Sequence, residues 1–524
     1  MAPRTVAETP TWASLSNNIR QGWWWRDPGL RACNLTLIGG YDKSLMNNLQ
    51  SLPSWQNMID HPSSSALGLI TCSMSIGTIC SAPFFAWMSD RFGRRACMAA
   101  GAFLMFAGAV IQACANGRNA FLAGRIIIGL GVSGSLASGP LLVAEISHPR
   151  HRAVYGALYN TLWYVGSTVV AWLSFGTSYI PTGASWRIPC GGQAIPALFT
   201  LITIYWLPES PRWLIKNNRE PEALHLLAKY HANGKEDDEL VQFELSEIKE
   251  ALAVEAAIPT KGFLSDWLDL FATKANRHRS FVTIWFVCGI DFCGTAITSY
   301  YLTKILNSVG VTDSHEQTAI NGGLQVWQII TAVSGAMFAE RLGRRKLWLT
   351  SFIGMLLVNI PFGVCSMLFT EHGNQSAGKA VIAMVFLYQG TYNLGCNPLP
   401  YLYVTEMWPL RHRAPAIGFE VALDATPSSP AAMGVLGQYT SPIAMDSLGW
   451  KCYFIYTALL VLWIVGIYFT FPETKGMTLE EIALLFGDSA PQVEALRIDA
   501  VTGGVTELNA GAAGKGDSGS DLKV

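Results

Sequence analysis

Two charged side chains stand inside long apolar stretches: Asp42, in Gly40-Tyr41-Asp42, and Arg125, in Gly124-Arg125. At membrane depth a charge costs a few kcal/mol unless it is paired or lines a water-filled cavity, so each demands a partner of the opposite sign. Asp291 and Lys43 pose the same problem, also from within apolar stretches. Residues adjacent on a helix point about 100° apart, so Lys43 does not share the Asp42 face. A second set of charges sits between apolar stretches instead. The cassette Asp90-Arg91-Phe92-Gly93-Arg94-Arg95 returns as Glu340-Arg341-Leu342-Gly343-Arg344-Arg345, an offset of 250 (340 − 90). Glu145 and Arg152 return as Glu406 and Arg413, an offset of 261 (406 − 145), and Pro208-Glu209-Ser210 as Pro472-Glu473-Thr474, an offset of 264 (472 − 208). Each cassette is a charged turn with a conformationally permissive glycine, and acids recur with it in both copies. This is ion-pair and gating chemistry written twice.

The elements that position these residues must span a membrane. Hydrophobic residues make up 50% of the 524, charged residues 14%, and mean hydropathy is +0.28. That leaves too little polar surface for a soluble chain of this length. A net charge of −1 excludes a nucleic-acid partner, which needs a concentrated basic surface. The eleven cysteines occur singly and without metal-ligand spacing, so neither disulfides nor metal are expected. Apolar runs of spanning length predict six helices in the first half, at 31–51, 66–88, 97–116, 120–144, 154–175 and 187–207. Six more follow at 281–303, 318–339, 347–369, 379–403, 414–440 and 450–471. The eleventh carries Asp424, Pro427 and Pro430 and is expected to be kinked.

The duplication therefore divides the chain into a lead-in segment (1–30), a six-helix unit (31–207), a polar helical bridge (208–278), a second six-helix unit (279–471) and a tail (472–524), disordered after about 490. Helical patterning within the bridge covers Glu220 to Tyr230 and Asp237 to Ala253. The basic cassette loops all fall on one side, which the positive-inside rule makes cytoplasmic, and both termini with it. Asn374, in Asn374-Gln375-Ser376, then faces outside as a glycosylation sequon. His148, His151 and His412 are expected to be solvated in turns, and Trp23 to Trp25 to anchor at the interface. No cleavable signal is apparent, so the first span should direct targeting.

The ordered motifs resemble those of the sugar porters of the major facilitator superfamily, within them the fungal hexose and lactose permease-like group. The resemblance rests on both cassettes, Gly124-Arg125, Glu145 with Arg152, Pro208-Glu209-Ser210-Pro211-Arg212-Trp213-Leu214, Glu406 with Arg413, and Pro472-Glu473-Thr474-Lys475-Gly476, and it covers about residues 30 to 485. It implies an all-α membrane fold of twelve helices in two bundles rocking around a central site. It further implies a plasma-membrane location, a sugar and protons as partners, no cofactor, no enzymatic activity and a monomer. Asp42 and Arg125 match the protonation-controlled pair of proton-coupled members. Asp90, Arg91, Arg94, Arg95, Glu145, Arg152 and Glu209, with Glu340, Arg341, Arg344, Arg345, Glu406, Arg413 and Glu473, match the cytoplasmic gate, the arginines bridging to the acids.

The substrate positions depart from the family pattern. In the seventh span Tyr300 and Tyr301 stand, but the usual Gln is Asp291 and the Asn position falls at Thr295 or Ala296. An amide donates and accepts hydrogen bonds, whereas a carboxylate only accepts. The resemblance adds Asn160, Asn321, Asn397 and Tyr401 to the substrate set, with Gln325 and Gln328 on the same side as Asn321. Lys43 and Asp291, both unusual and opposite in charge, are expected to pair across the two halves; Asp291 binding a cationic substrate or a second proton is the alternative. The leading expectation is proton-coupled uptake of a mono- or disaccharide. A non-sugar metabolite is the first rival and a non-transporting sensor the second.

Overall fold

In a computed structural model the described residues are 36–148, 152–257, 268–408 and 433–475, with isolated positions to 487. The architecture is all-helical, twelve spans in two bundles of six. In the first bundle these are α1 (Thr36–Ser51), α2 (Ser64–Phe92), α3 (Arg94–Ala113), α4 (Arg118–Ile146), α5 (Arg152–Ser178) and α6, in two pieces (Ala184–Gly192 and Ala194–Thr203). The second bundle has α7, in three pieces (Lys274–Asp291, Thr295–Tyr300 and Leu302–Ser308), α8 (Ser314–Leu342) and α9 (Arg344–His372). It continues with α10, in two pieces (Gln375–Gly395 and Leu399–Met407), α11 (described over Met433–Leu448) and α12 (Lys451–Thr470). Side-chain oxygens cap several N-termini: Ser63 accepts from the Ala66 amide of α2, Asp313 from Glu316 of α8, and Asn374 from Ser376 and Ala377 of α10. Each such cap satisfies amides the helix itself cannot.

Four spans differ from the helices expected, the sixth by a break at Gln193 between its two pieces. The seventh breaks after Asp291, where Gly294 takes φ +101°, and again at Tyr301. Irregular backbone at membrane depth persists only where it is buried in protein or lines a cavity, so the breaks mark a site. The tenth is interrupted around Cys396-Asn397-Pro398, since a proline withholds a helix hydrogen bond. The eleventh runs on to Leu448, past the expected end at 440; its Asp424, Pro427 and Pro430 lie outside the described residues.

Lipid-facing surfaces are apolar, as Phe103, Ile195, Leu357 and Val461 are all exposed. Tyr205 and Trp206 at the end of α6, with Tyr468 and Phe469 at the end of α12, stand exposed near the cassettes as an interfacial aromatic belt. Inside the first bundle, α2 and α4 touch through backbone: a Cβ on Gly129 would fall 2.0 Å from the Met74 carbonyl oxygen. The α4 glycines thus serve close helix packing.

The bridge folds as Pro211–Lys216, Glu220–His231 and Glu239–Ala257. Its helices join through His231, whose Nδ1 lies 2.5 Å from Glu244 Oε2 and whose Nε2 lies 3.3 Å from the Ile146 carbonyl at the end of α4. The expectation of a solvated His148 is corrected here: it is buried, its ring edge-on to His231 at 5.4 Å. His151, His412 and Trp23 to Trp25 lie outside the described residues.

Candidate functional site

Asp42 and Arg125 meet, 3% and 1% exposed. Arg125 Nη1 and Nη2 donate to Asp42 Oδ1 and Oδ2, both at 3.2 Å. Its Nε donates to the Ile70 carbonyl at 2.9 Å and Nη2 also to that of Thr71 at 3.4 Å. The guanidinium thus ties α4 to α1 and α2 at once. Sequence reading missed a third partner, Gln193 at the break of α6, whose Nε2 donates to Asp42 Oδ1 at 2.9 Å. Its only signal was an amide within the sixth apolar run.

A small, partly open cavity lies between the bundles, lined by Ser44, Tyr164, Ser167, Thr298, Ser299, Leu324, Gln325 and Gln328. No formal charge lines it. Hydroxyls and amides there offer both donors and acceptors, which suits a neutral ligand rich in hydroxyl groups. Around it the bundles are stitched together. Asn47 of α1 donates to the Ser299 carbonyl, accepts from the Leu302 amide at 3.2 Å, and through its own carbonyl accepts from Thr303 Oγ1 at 2.9 Å. Gln50 donates to the Tyr300 carbonyl at 2.7 Å, Asn321 to Ser44 Oγ at 3.2 Å, and Tyr164 to Asn393 Oδ1 at 2.6 Å. Lys304 of α7 reaches Asp446 of α11 at 2.9 Å and Ser64 of α2 at 2.9 Å. On the other flank His315 of α8 bonds Ser178 of α5 at 2.8 Å and stacks on Tyr179. Among the described residues these inter-bundle bonds sit at mid-height or toward the face opposite the cassettes, so that face is the closed one.

The cassettes build the same device twice. Gly93 and Gly343 take φ +95° and +90°, turning the chain between consecutive spans. The carboxylates of Glu209 and Glu473 then accept the first backbone amides of the next helix: Arg94 and Arg95 at 3.0 and 3.2 Å, Arg344 and Arg345 at 2.7 and 3.2 Å. An anion at a helix N-terminus also meets the favourable end of the helix dipole. Arg94 lies 3.3 Å from Glu145 and 3.5 Å from Asp90, and Arg344 reaches Glu406 at 2.7 Å. Arg95 donates to the Ile204 and Tyr205 carbonyls at 3.2 and 3.0 Å, and Arg345 to that of Tyr468. Two of the expected acids thus take backbone amides instead of guanidinium groups. Burial pushes the Glu209 carboxyl above the ordinary range, against the pull of the Ser210, Arg95 and Arg94 amides and the Arg94 charge.

Residues 30–486 match the family described as "Sugar (and other) transporter". The chain belongs to the sugar porter family. A high-affinity glucose transporter of Kluyveromyces lactis is 29% identical over 485 residues, 88% of this chain and 85% of that one. A quinate permease of Neurospora africana is 27% identical over 470 residues, 85% of this chain and 86% of that one. The xylose transporter XylE of E. coli, solved in a partially occluded inward-open conformation, shares the fold with a TM-score of 0.69 at 22% identity, over 87% of this chain and 99% of that one.

In this sugar porter several expected substrate residues stand off the cavity. Asp291 ends the first piece of α7, half-buried, and Thr295 bonds back to the Ile290 carbonyl at 3.3 Å. Tyr300 lends its carbonyl to the seam, and Tyr301 is buried with its hydroxyl donated to Gln438 O at 2.6 Å. Asn321 serves α1, while Gln325 and Gln328 on the same helix face inward; Asn397 sits in the α10 turn. The side chains of Lys43, Asn160, Arg152, Glu340 and Tyr401, and the whole of Arg413, lie outside the described residues, so the Lys43–Asp291 pair does too. Arg91 and Arg341 are exposed, and Asn374 is exposed while capping α10.

Proposed function

We propose that this sugar porter carries a neutral mono- or disaccharide across the plasma membrane with a proton, by alternating access, with its cassettes and both termini in the cytoplasm. The observation that carries the reading is the uncharged, hydroxyl- and amide-lined cavity at the bundle seam, sharing α1 with a buried carboxylate–guanidinium pair. One helix then serves both ligands. Asp42 faces α4 and α6, while Ser44, Asn47 and Asn48 face the cavity and the second bundle. Protonating Asp42 removes the charge that holds Arg125, loosening α1 from α4, and the sugar draws α7 and α8 onto the same rod. That a relative is named a glucose transporter supports the sugar, and that XylE has been solved as a proton:xylose symporter supports the proton.

A second reading, a non-sugar metabolite, is favoured by Asp291 in place of the usual amide and by a relative named as a quinate permease. The test is uptake of labelled monosaccharides, disaccharides, polyols and quinate in a host lacking hexose transport, with and without a protonophore. Protonophore-sensitive sugar uptake supports the reading. No sugar uptake at normal surface expression overturns it, quinate uptake alone favours the rival, and sugar binding without uptake of any compound indicates a sensor.

A further inference from the structure

The direction of every hydrogen bond around the cavity can be worked out from backbone carbonyls, which only accept. Thr298 donates its hydroxyl hydrogen to the Thr295 carbonyl at 3.1 Å, so its oxygen can only accept from Gln389. The Gln389 atom 2.6 Å away is therefore the nitrogen, and that same Nε2 lies 3.1 Å from Ser299 Oγ. Ser299 is thus also an acceptor toward Gln389. Its own hydrogen is taken by no acceptor among the described residues, and Ser299 lines the cavity.

The same reasoning applies on the other side. Asn48 Nδ2 donates to the Ser44 carbonyl at 3.1 Å, so Asn48 Oδ1 faces Asn321 Nδ2, 3.0 Å away. Asn321 Nδ2 also donates to Ser44 Oγ at 3.2 Å, leaving the Ser44 hydrogen with no described acceptor at the cavity wall. Asn321 Oδ1 accepts from Gln325 Nε2 at 3.1 Å, which leaves Gln325 Oε1 as a cavity acceptor.

We propose that Ser44 and Ser299 are specificity-determining donors to two oxygens of the substrate, and that Asn321 and Gln389, set behind them, are positioning residues that fix this polarity. The proposal rests on the neutral-sugar reading and deepens it. It assigns recognition to short hydroxyls on α1 and on the broken part of α7, where the amides usual in the family are missing. Ser299 is suited to report occupancy because its carbonyl is already gripped by Asn47. A substrate bonded to its hydroxyl joins a residue held from α1 and α10 together.

The experiment measures competition for uptake by the mono-deoxy and mono-deoxyfluoro derivatives of the transported sugar, with D-glucose as the first probe. A fluorine accepts weakly and cannot donate, and a deoxy carbon does neither. At the two positions read by Ser44 and Ser299, the fluoro analogue should compete within about threefold of the parent and the deoxy analogue about tenfold worse, the loss of one ordinary hydrogen bond. Ser299→Ala should close that gap at one position only. Gln389→Glu should drop the fluoro analogue to the deoxy level there, because the new carboxylate claims the Ser299 hydrogen. Unchanged analogue rankings in both variants, or equal losses for all sugars, would overturn the proposal while leaving the transport reading intact. Ser299→Ala removes a single hydroxyl and reports even where Gln389→Glu fails to fold. A wild type that takes up no neutral sugar at normal surface expression overturns the transport reading and this proposal with it.

Discussion

Replacing Gly343 by alanine separates the two reasons a glycine occupies the cassette turn. Its φ of +90° with ψ 165° is a backbone region that essentially only glycine adopts, and it strains any residue bearing a Cβ by about 1–3 kcal/mol. The added carbon would also lie 2.8 Å from Glu473 Oε2, 2.9 Å from Cδ and 3.0 Å from Oε1. Those atoms cannot retreat freely, because the carboxylate holds the Arg344, Arg345 and Lys475 amides at 2.7, 3.2 and 3.2 Å. A hydrogen bond to a charged group contributes about 1.5–3 kcal/mol, so displacing the cap adds at least the strain over again. The expected total is about 3–5 kcal/mol, or roughly 10 °C in the unfolding midpoint for a unit the size of one bundle. Gly373 provides the control: φ is +66°, and nothing lies within 4 Å of its would-be Cβ. Gly373→Ala should therefore cost only the strain, about 1–2 kcal/mol. Thermal unfolding of purified protein in detergent reads both, with Glu473→Ala as the second arm of a double-mutant cycle. In the Glu473→Ala background, Gly343→Ala should lose the cap's share of its cost and keep only its own backbone strain. Equal losses at Gly343 and Gly373, or a Gly343 penalty that Glu473→Ala leaves undiminished, refute the capping argument.

Other expectations follow from the same geometry. Asp42→Asn keeps the shape and the Gln193 contact but leaves the Arg125 charge buried; it should abolish accumulation against a gradient and destabilise by about 3 kcal/mol, read by uptake with and without a protonophore and by thermal unfolding. Asn47→Ala removes side-chain bonds to the Ser299 carbonyl and the Leu302 amide; labelling of cysteines placed along α7 from the face opposite the cassettes should rise about tenfold, and unchanged labelling would deny Asn47 a closing role. Glu209 titrates above its ordinary 4.5 because it is buried. An acid with a raised folded value contributes fully below its unfolded value and loses that contribution as pH rises through the folded one. Wild type should therefore lose stability relative to Glu209→Gln as pH climbs from about 4.5, and a pH-independent difference in unfolding midpoint would contradict this.

The fold was legible because its signals are long-ranged and chemical: spanning apolar runs, a duplicated cassette, and two charges that membrane depth obliges to meet. Asp42 and Arg125 were found this way from 83 residues apart. What sequence did not reveal was direction. Glu209 and Glu473 read as partners for arginine side chains, yet they take backbone amides, because the glycine turn delivers the next helix N-terminus onto them. Asn321 read as a substrate contact, but its height on the shared helix face, one turn from Gln325, gives it to α1 and leaves Gln325 and Gln328 lining the cavity. The breaks in α7 were hidden because Gly294 within an apolar run looks like packing until its φ is known.

The placement of the cassette contacts bears on how the halves can move. Each latch closes within its own bundle: Arg94 to Glu145 and Glu209 to the start of α3, Arg344 to Glu406 and Glu473 to the start of α9. A latch that fastens one half upon itself cannot hold the two halves together. It makes each half stiff at the cassette face, where the described seam has no inter-bundle hydrogen bond to hold it. The compliance then has to reside elsewhere, and the broken pieces of α7, gripped by Asn47 and Gln50 of α1, are where backbone continuity is weakest. Stiff halves would convert a small rearrangement at α7 into a larger one at the opposite end, which is what the proposed alternating access requires. The doubled cassette therefore contributes rigidity to both halves, and under the proposed function the singular features, Asp42, Ser44 and Ser299, supply the reasons to move.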